Sequence, residues 1–91
     1  MSGRILVTPE EVRAVAAEFK KGSEQSNQMV QSLTGAVGNL HSHWEGVSST
    51  KFYAEFTDWQ KQMQAFVVRL DEISTELLRI ADRFEQADQA G

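Results

Sequence analysis

The sequence predicts an all-α fold, an antiparallel two-helix hairpin that pairs with another hairpin into a four-helix bundle. Three observations carry this expectation. Apolar residues recur at alternating spacings of four and three through both halves of the chain. A glycine stands between the two periodic stretches near the middle. No strand-like alternation of useful length occurs anywhere. With 91 residues and no cysteine, the whole chain is expected to form a single helical hairpin domain without disulfide, thiolate-metal or thiol chemistry.

Helix 1 opens at Thr8-Pro9-Glu10-Glu11. Thr8 is suited to cap the helix, Pro9 falls where a missing N–H costs nothing, and Glu11 completes a capping box, with both acids favoured by the helix dipole. Two columns of apolar or small residues then run seven apart, Val12, Phe19, Ser26, Leu33, Leu40 and Ala16, Ser23, Val30, Val37, Trp44. They predict a helix over about residues 9–42. Gly22, Gly35 and Gly38 each cost about 1 kcal/mol relative to alanine. Packing, rather than propensity, must therefore hold this helix.

The turn is predicted over about residues 43–48, where Gly46 is free to take positive φ and Ser48 or Ser49 to cap the next helix. Helix 2, over about 49–86, carries Phe52, Phe56, Trp59, Met63, Phe66, Leu70, Ile73, Leu77, Ile80, Phe84 and Ala87 in unbroken four-three alternation. That period predicts a left-handed twist against its neighbour. So short a connection makes the helices antiparallel. Folding back at Gly46 sets Leu40 opposite Phe52, Leu33 opposite Trp59, Phe19 opposite Ile73 and Val12 opposite Ile80, with the small Gly22, Ser23 and Ser26 facing Phe66 and Leu70. Val15, Met29 and Ala36, like Tyr53, Val67 and Leu78, widen the apolar faces beyond what a lone hairpin buries. A second hairpin is expected to cover them.

The net charge of -4 is unevenly placed. Up to residue 70, seven acids match seven bases, whereas beyond it six acids face only Arg79 and Arg83. A solvated helix face and an acidic C-terminal address both fit this pattern. Such a balance disfavours nucleic acid, which demands clustered Lys and Arg. There is no Ser-His-acid set or glycine-rich phosphate loop, and a hairpin offers no enclosed substrate pocket, so neither an enzyme, a cofactor nor a small-molecule substrate is expected. His41 and His43 are two apart and do not share a helix face, which argues against a metal site, although a pH-sensitive turn remains open. No apolar run approaches the roughly 20 residues of a membrane span. Membrane activity is an alternative only if dissociation bares Phe52, Trp59 and Phe66.

Trp44-Glu45-Gly46, near the midpoint of a two-helix chain of this length, resembles the WXG-100 family of small ESAT-like proteins. The resemblance implies hairpins that dimerise, with themselves or with a paralogue. It also implies a protein made in the bacterial cytoplasm and secreted by a type VII (ESX-like) system, whose membrane ATPase is then a partner, with a role as effector or escort of other substrates. The family export signal is a tyrosine followed four positions later by an acid. Phe84 and Asp88 occupy those positions, with Phe in place of Tyr, and the end of the chain at Gly91 leaves no longer downstream signal. At the other end, Ile5-Leu6-Val7 falls short of the roughly 7 to 15 apolar residues of a signal-peptide core, so export without a cleavable signal peptide is expected. In an antiparallel dimer, Trp44 and the segment from Phe84 to Asp88 would form a composite surface. A cytosolic helical adaptor or chaperone is the alternative reading.

Overall fold

The computed structural model describes residues 6–90, with side chains described through Ala87. Two helices, α1 (Pro9–His41) and α2 (Val47–Ala90), lie antiparallel, joined by residues 42–46. No strand occurs among the described residues.

Local chemistry explains where α1 begins. Thr8 is extended, its hydroxyl accepts the Glu11 N–H at 3.1 Å, and the Glu11 carboxylate accepts the Thr8 N–H at 3.4 Å. This reciprocal pair satisfies two helix-end donors, and Pro9 is buried beside it.

The reversal differs from the expected serine cap. Gly46 takes φ 124°, a conformation that side-chain-bearing residues rarely adopt. Its carbonyl accepts the Thr50 N–H at 3.1 Å, the Ser49 hydroxyl at 2.8 Å and the Thr50 hydroxyl at 3.0 Å. Helix α2 thus starts at Val47, with Ser48 and Ser49 already inside it. Ser49 donates backwards to the turn instead of accepting from the helix.

The register follows the fold-back point. A methyl group placed on Gly22 would lie 3.9 Å from Leu70 Cδ1, and these two residues are equidistant in sequence from Gly46. That distance is ordinary contact, so Gly22 leaves room that Leu70 does not fill.

The core is centred elsewhere than on the large residues. The buried hydrophobic side chains are Ala16, Val30 and Ala81, joined by the buried serines Ser23, Ser49 and Ser74. Among the described residues no large side chain is fully buried. On α1 the column Ala16, Ser23, Val30 faces the partner helix, as the spacing predicts. On α2 the contact is rotated toward Tyr53, Gln60, Val67, Ser74 and Ala81, of which Ser74 and Ala81 are buried and the others half-buried. Small residues at the contact let the helices approach closely and turn the aromatic stripe aside.

This leaves a thin, elongated molecule, 68 × 24 × 15 Å in its principal extents. Its accessible surface is 6926 Å². A compact monomer of 10.2 kDa would expose about 5,300 Å².

Candidate functional site

Two edges of the hairpin differ in chemistry, and helical periodicity explains why. Arg13, Lys20, Thr34 and His41 belong to one α1 column of period seven, and each of them touches α2. Arg13 bonds Glu85 and Asp82, Lys20 bonds Asp71 at 3.4 Å, and Thr34 accepts from the Gln60 amide at 2.8 Å. The His41 ring meets the Tyr53 ring edge-on at 4.4 Å. This edge is a polar seam along the full length of the pair.

The opposite edge is apolar and open. It is formed by the α1 column Val12, Phe19, Leu33, Leu40 and the α2 column Phe52, Trp59, Phe66, Ile73, Ile80. Leu33, Leu40 and Phe66 are exposed, Phe66 by 48%, and the others are half-buried. Phe56, Met63, Leu70, Leu77 and Phe84 lie between this column and the inter-helix contact and are half-buried too. Val15 and Met29 add further exposed apolar surface, as the widened α1 face predicts. Tyr53 and Val67 do not. Tyr53 meets His41 at the polar seam, and Val67 lines a shallow groove there with Asn27, Thr34 and Gln60.

At the turn, Trp44 ends the central α1 column, half-buried, as Val37 is one heptad before it. Its ring lies 5.6 Å from Phe52 and 5.8 Å from Tyr53. Stacking continues from Phe52 to Phe56 at 6.2 Å and from Phe56 to Trp59 at 5.5 Å. An aromatic ladder thus leads from the turn onto the open face. The Tyr53 hydroxyl is buried without a hydrogen-bond partner among the described residues. His43 is separate from His41, its Nδ1 lying 3.1 Å from the Ser42 hydroxyl. No group of three or more His, Cys, Asp or Glu is arranged to hold a metal among the described residues.

A two-helix hairpin of this length and register with Trp44-Glu45-Gly46 at its reversal is matched over residues 4–89 by the WXG100 family, "Proteins of 100 residues with WXG". The chain belongs to the WXG100 family. Its relatives include the type VII secretion system extracellular protein A of Staphylococcus aureus, 33% identical over 93% of this chain and 88% of that protein. Among solved structures, the secreted protein EsxB of Bacillus anthracis superposes with a TM-score of 0.84 at 34% identity, covering 96% of this chain and 99% of that one. EsxA of Geobacillus thermodenitrificans superposes at 0.85 and 30% identity, covering 99% and 97%. This WXG100 chain therefore resembles type VII secreted proteins in sequence and fold alike. No helix among its described residues is long and apolar enough to cross a membrane.

Within one WXG100 hairpin, Trp44 and Phe84 lie at opposite ends. A surface made from both requires a second chain. Phe84 is half-buried on α2, and Asp88 lies within the same helix, its side chain outside the described residues. The polar seam and its closing cluster at Arg13 escape a reading by hydrophobic period. Their signal is the recurrence of hydrogen-bonding side chains at heptad spacing beside the small-residue column.

Proposed function

We propose that this WXG100 protein is a type VII secretion substrate, exported as a folded hairpin dimer and acting by protein–protein contact, as effector or as escort of other substrates, rather than by catalysis. The observation that carries the proposal is similarity along nearly the whole chain to a protein named as an extracellular component of that system. Pairing is supported by the open apolar edge. The exposed surface exceeds that of a compact monomer by roughly 1,600 Å² per chain, more than the about 800 Å² that each partner buries in a standard protein interface. A second copy, or a paralogue with a similar face, would cover Leu33, Leu40, Phe52, Trp59 and Phe66.

In such a dimer Trp44 and Gly46 form the turn next to the partner's chain end, and Phe84 with Asp88 supplies the export signal read by the membrane ATPase. The replacement of the family tyrosine by Phe84 removes a hydroxyl but keeps the aromatic ring. The single hairpin domain needs no cofactor in this role.

The experiment is to compare culture supernatant with lysate in cells carrying or lacking the secretion ATPase. Supernatant protein that disappears with the ATPase supports the proposal. Protein confined to the lysate in both would make it a cytosolic adaptor instead.

A further inference from the structure

The last turns of α2 are poorly suited to be helical on their own. Asp82, Glu85 and Asp88 follow one another at spacings of three, and the last turn contains no basic residue. Like charges on one helix face repel, and acids at a helix C-terminus oppose its dipole. Yet α2 continues to Ala90.

The compensation comes from the other helix. The Arg13 guanidinium, one turn into α1, donates to both carboxylate oxygens of Glu85 at 3.1 Å and to Asp82 Oδ1 at 3.1 Å. Its side chain is one-third exposed, while Glu85 and Asp82 are more open. These two acids raise the Arg13 pKa above its ordinary value, Glu85 foremost, so the cation is fixed. The fork geometry is the one guanidinium favours with carboxylates, and a lysine would not reproduce it. Arg13 is itself anchored, since Pro9 and the Thr8–Glu11 capping box set the start of its helix. Phe84 sits between the two acids that Arg13 holds.

We propose that Arg13 is a positioning residue for the export segment: by clasping Glu85 and Asp82 it keeps Phe84 to Asp88 helical and seated on α1, so that the secretion machinery meets a rigid strip. This rests on the reading of Phe84 and Asp88 as the export signal. Arg13 itself need not touch the machinery. Its effect passes through the order of the segment.

The test uses the full-length chain with Arg13→Gln. Amides from Arg83 to Ala87 should lose hydrogen-exchange protection by about tenfold while those from Phe56 to Leu70 keep theirs. The supernatant fraction should fall several-fold at unchanged dimer mass. Adding Gln89→Lys, which places a base four residues after Glu85 and outside the Phe84 to Asp88 strip, should restore helicity and export together without Arg13. That rescue is something a general loss of stability would not give. Unchanged protection in Arg13→Gln, or export that stays normal while the segment frays, overturns the inference. If Arg13→Gln loses the dimer, Arg13→Lys, which keeps the charge but cannot form the fork to both Glu85 oxygens and Asp82, replaces it and must give the same order of effects at smaller size or the inference fails. Should the unmodified protein remain in the lysate, the secretion reading is what fails, and the exchange measurement still decides whether Arg13 ties down the segment.

Discussion

The Ser74 hydroxyl donates to the main-chain carbonyl of Ala16 at 2.8 Å, buried between the helices. Both residues are almost fully enclosed, and no larger side chain intervenes there. Ser74 therefore sets the spacing of the pair as well as bonding across it. Replacing it by alanine should cost about 1 kcal/mol, since the Ala16 carbonyl keeps its helical partner. Replacing it by leucine should cost about 1–3 kcal/mol through overpacking, although leucine is the more hydrophobic residue for a buried position. Urea denaturation of the two variants at matched protein concentration will show whether leucine is the worse.

Glycines in the turn and in the helix should respond with opposite signs. A methyl group on Gly46 meets nothing within 4 Å, but φ 124° strains any residue other than glycine. Gly46→Ala should therefore destabilise by about 1–3 kcal/mol from the backbone alone. Gly35 also has open space, in an ordinary helical conformation. Gly35→Ala should stabilise by about 1 kcal/mol. Thermal melting of both variants checks the pair.

The open apolar edge predicts the behaviour of the chain in solution. Sedimentation or light scattering at micromolar concentration should give a dimer mass for the unmodified protein. Leu33→Glu together with Phe66→Glu should give a monomer, because the two exposed side chains make few contacts within their own hairpin. A dimer that survives this double substitution would move the interface to another face.

Acid should weaken the hairpin through Asp71. The Ser23 hydroxyl holds its carboxyl below the ordinary 3.8, against partial burial that raises it and with help from Lys20. A depressed carboxylate stabilises fully above its unfolded pKa and loses that contribution as pH falls through the folded value. Stability should thus be level above about pH 5 and decline below 4 as this group protonates. Asp71→Asn should flatten its share of that decline in acid titrations followed by helical circular dichroism. Arg13 adds no slope there, because its acids raise its pKa further and the guanidinium stays protonated throughout that range.

Much of this architecture is legible in the residues because it is decided locally. Thr8-Pro9-Glu10-Glu11 dictates a helix start over four residues, and Gly46 is where a left-handed conformation costs least. The start of α2 is less legible, since the Gly46 carbonyl competes for Ser49 and Thr50 and draws the helix back to Val47. The rotation of the contact is harder still. A four-three period identifies apolar columns, but it is silent on which column meets the other helix of the chain and which is left open. Ser74 and Ala81 decide that question by being small, and smallness carries no hydrophobic signal. The pairings of Arg13 and Lys20 depend on that same rotation, so they become visible only once the helices are placed.

The cross-section of the hairpin also bears on transport. Two helices side by side make a layer 15 Å thick and 24 Å wide, whatever their length. Adding residues to such a rod lengthens it without widening it. An aperture that admits the rod end-on is thus insensitive to cargo length, and a second layer stacked on the apolar edge enlarges only one of its two narrow dimensions. Passage lengthwise would demand no unravelling of either helix, only a gate wide enough for the bundle and an end by which to draw it through.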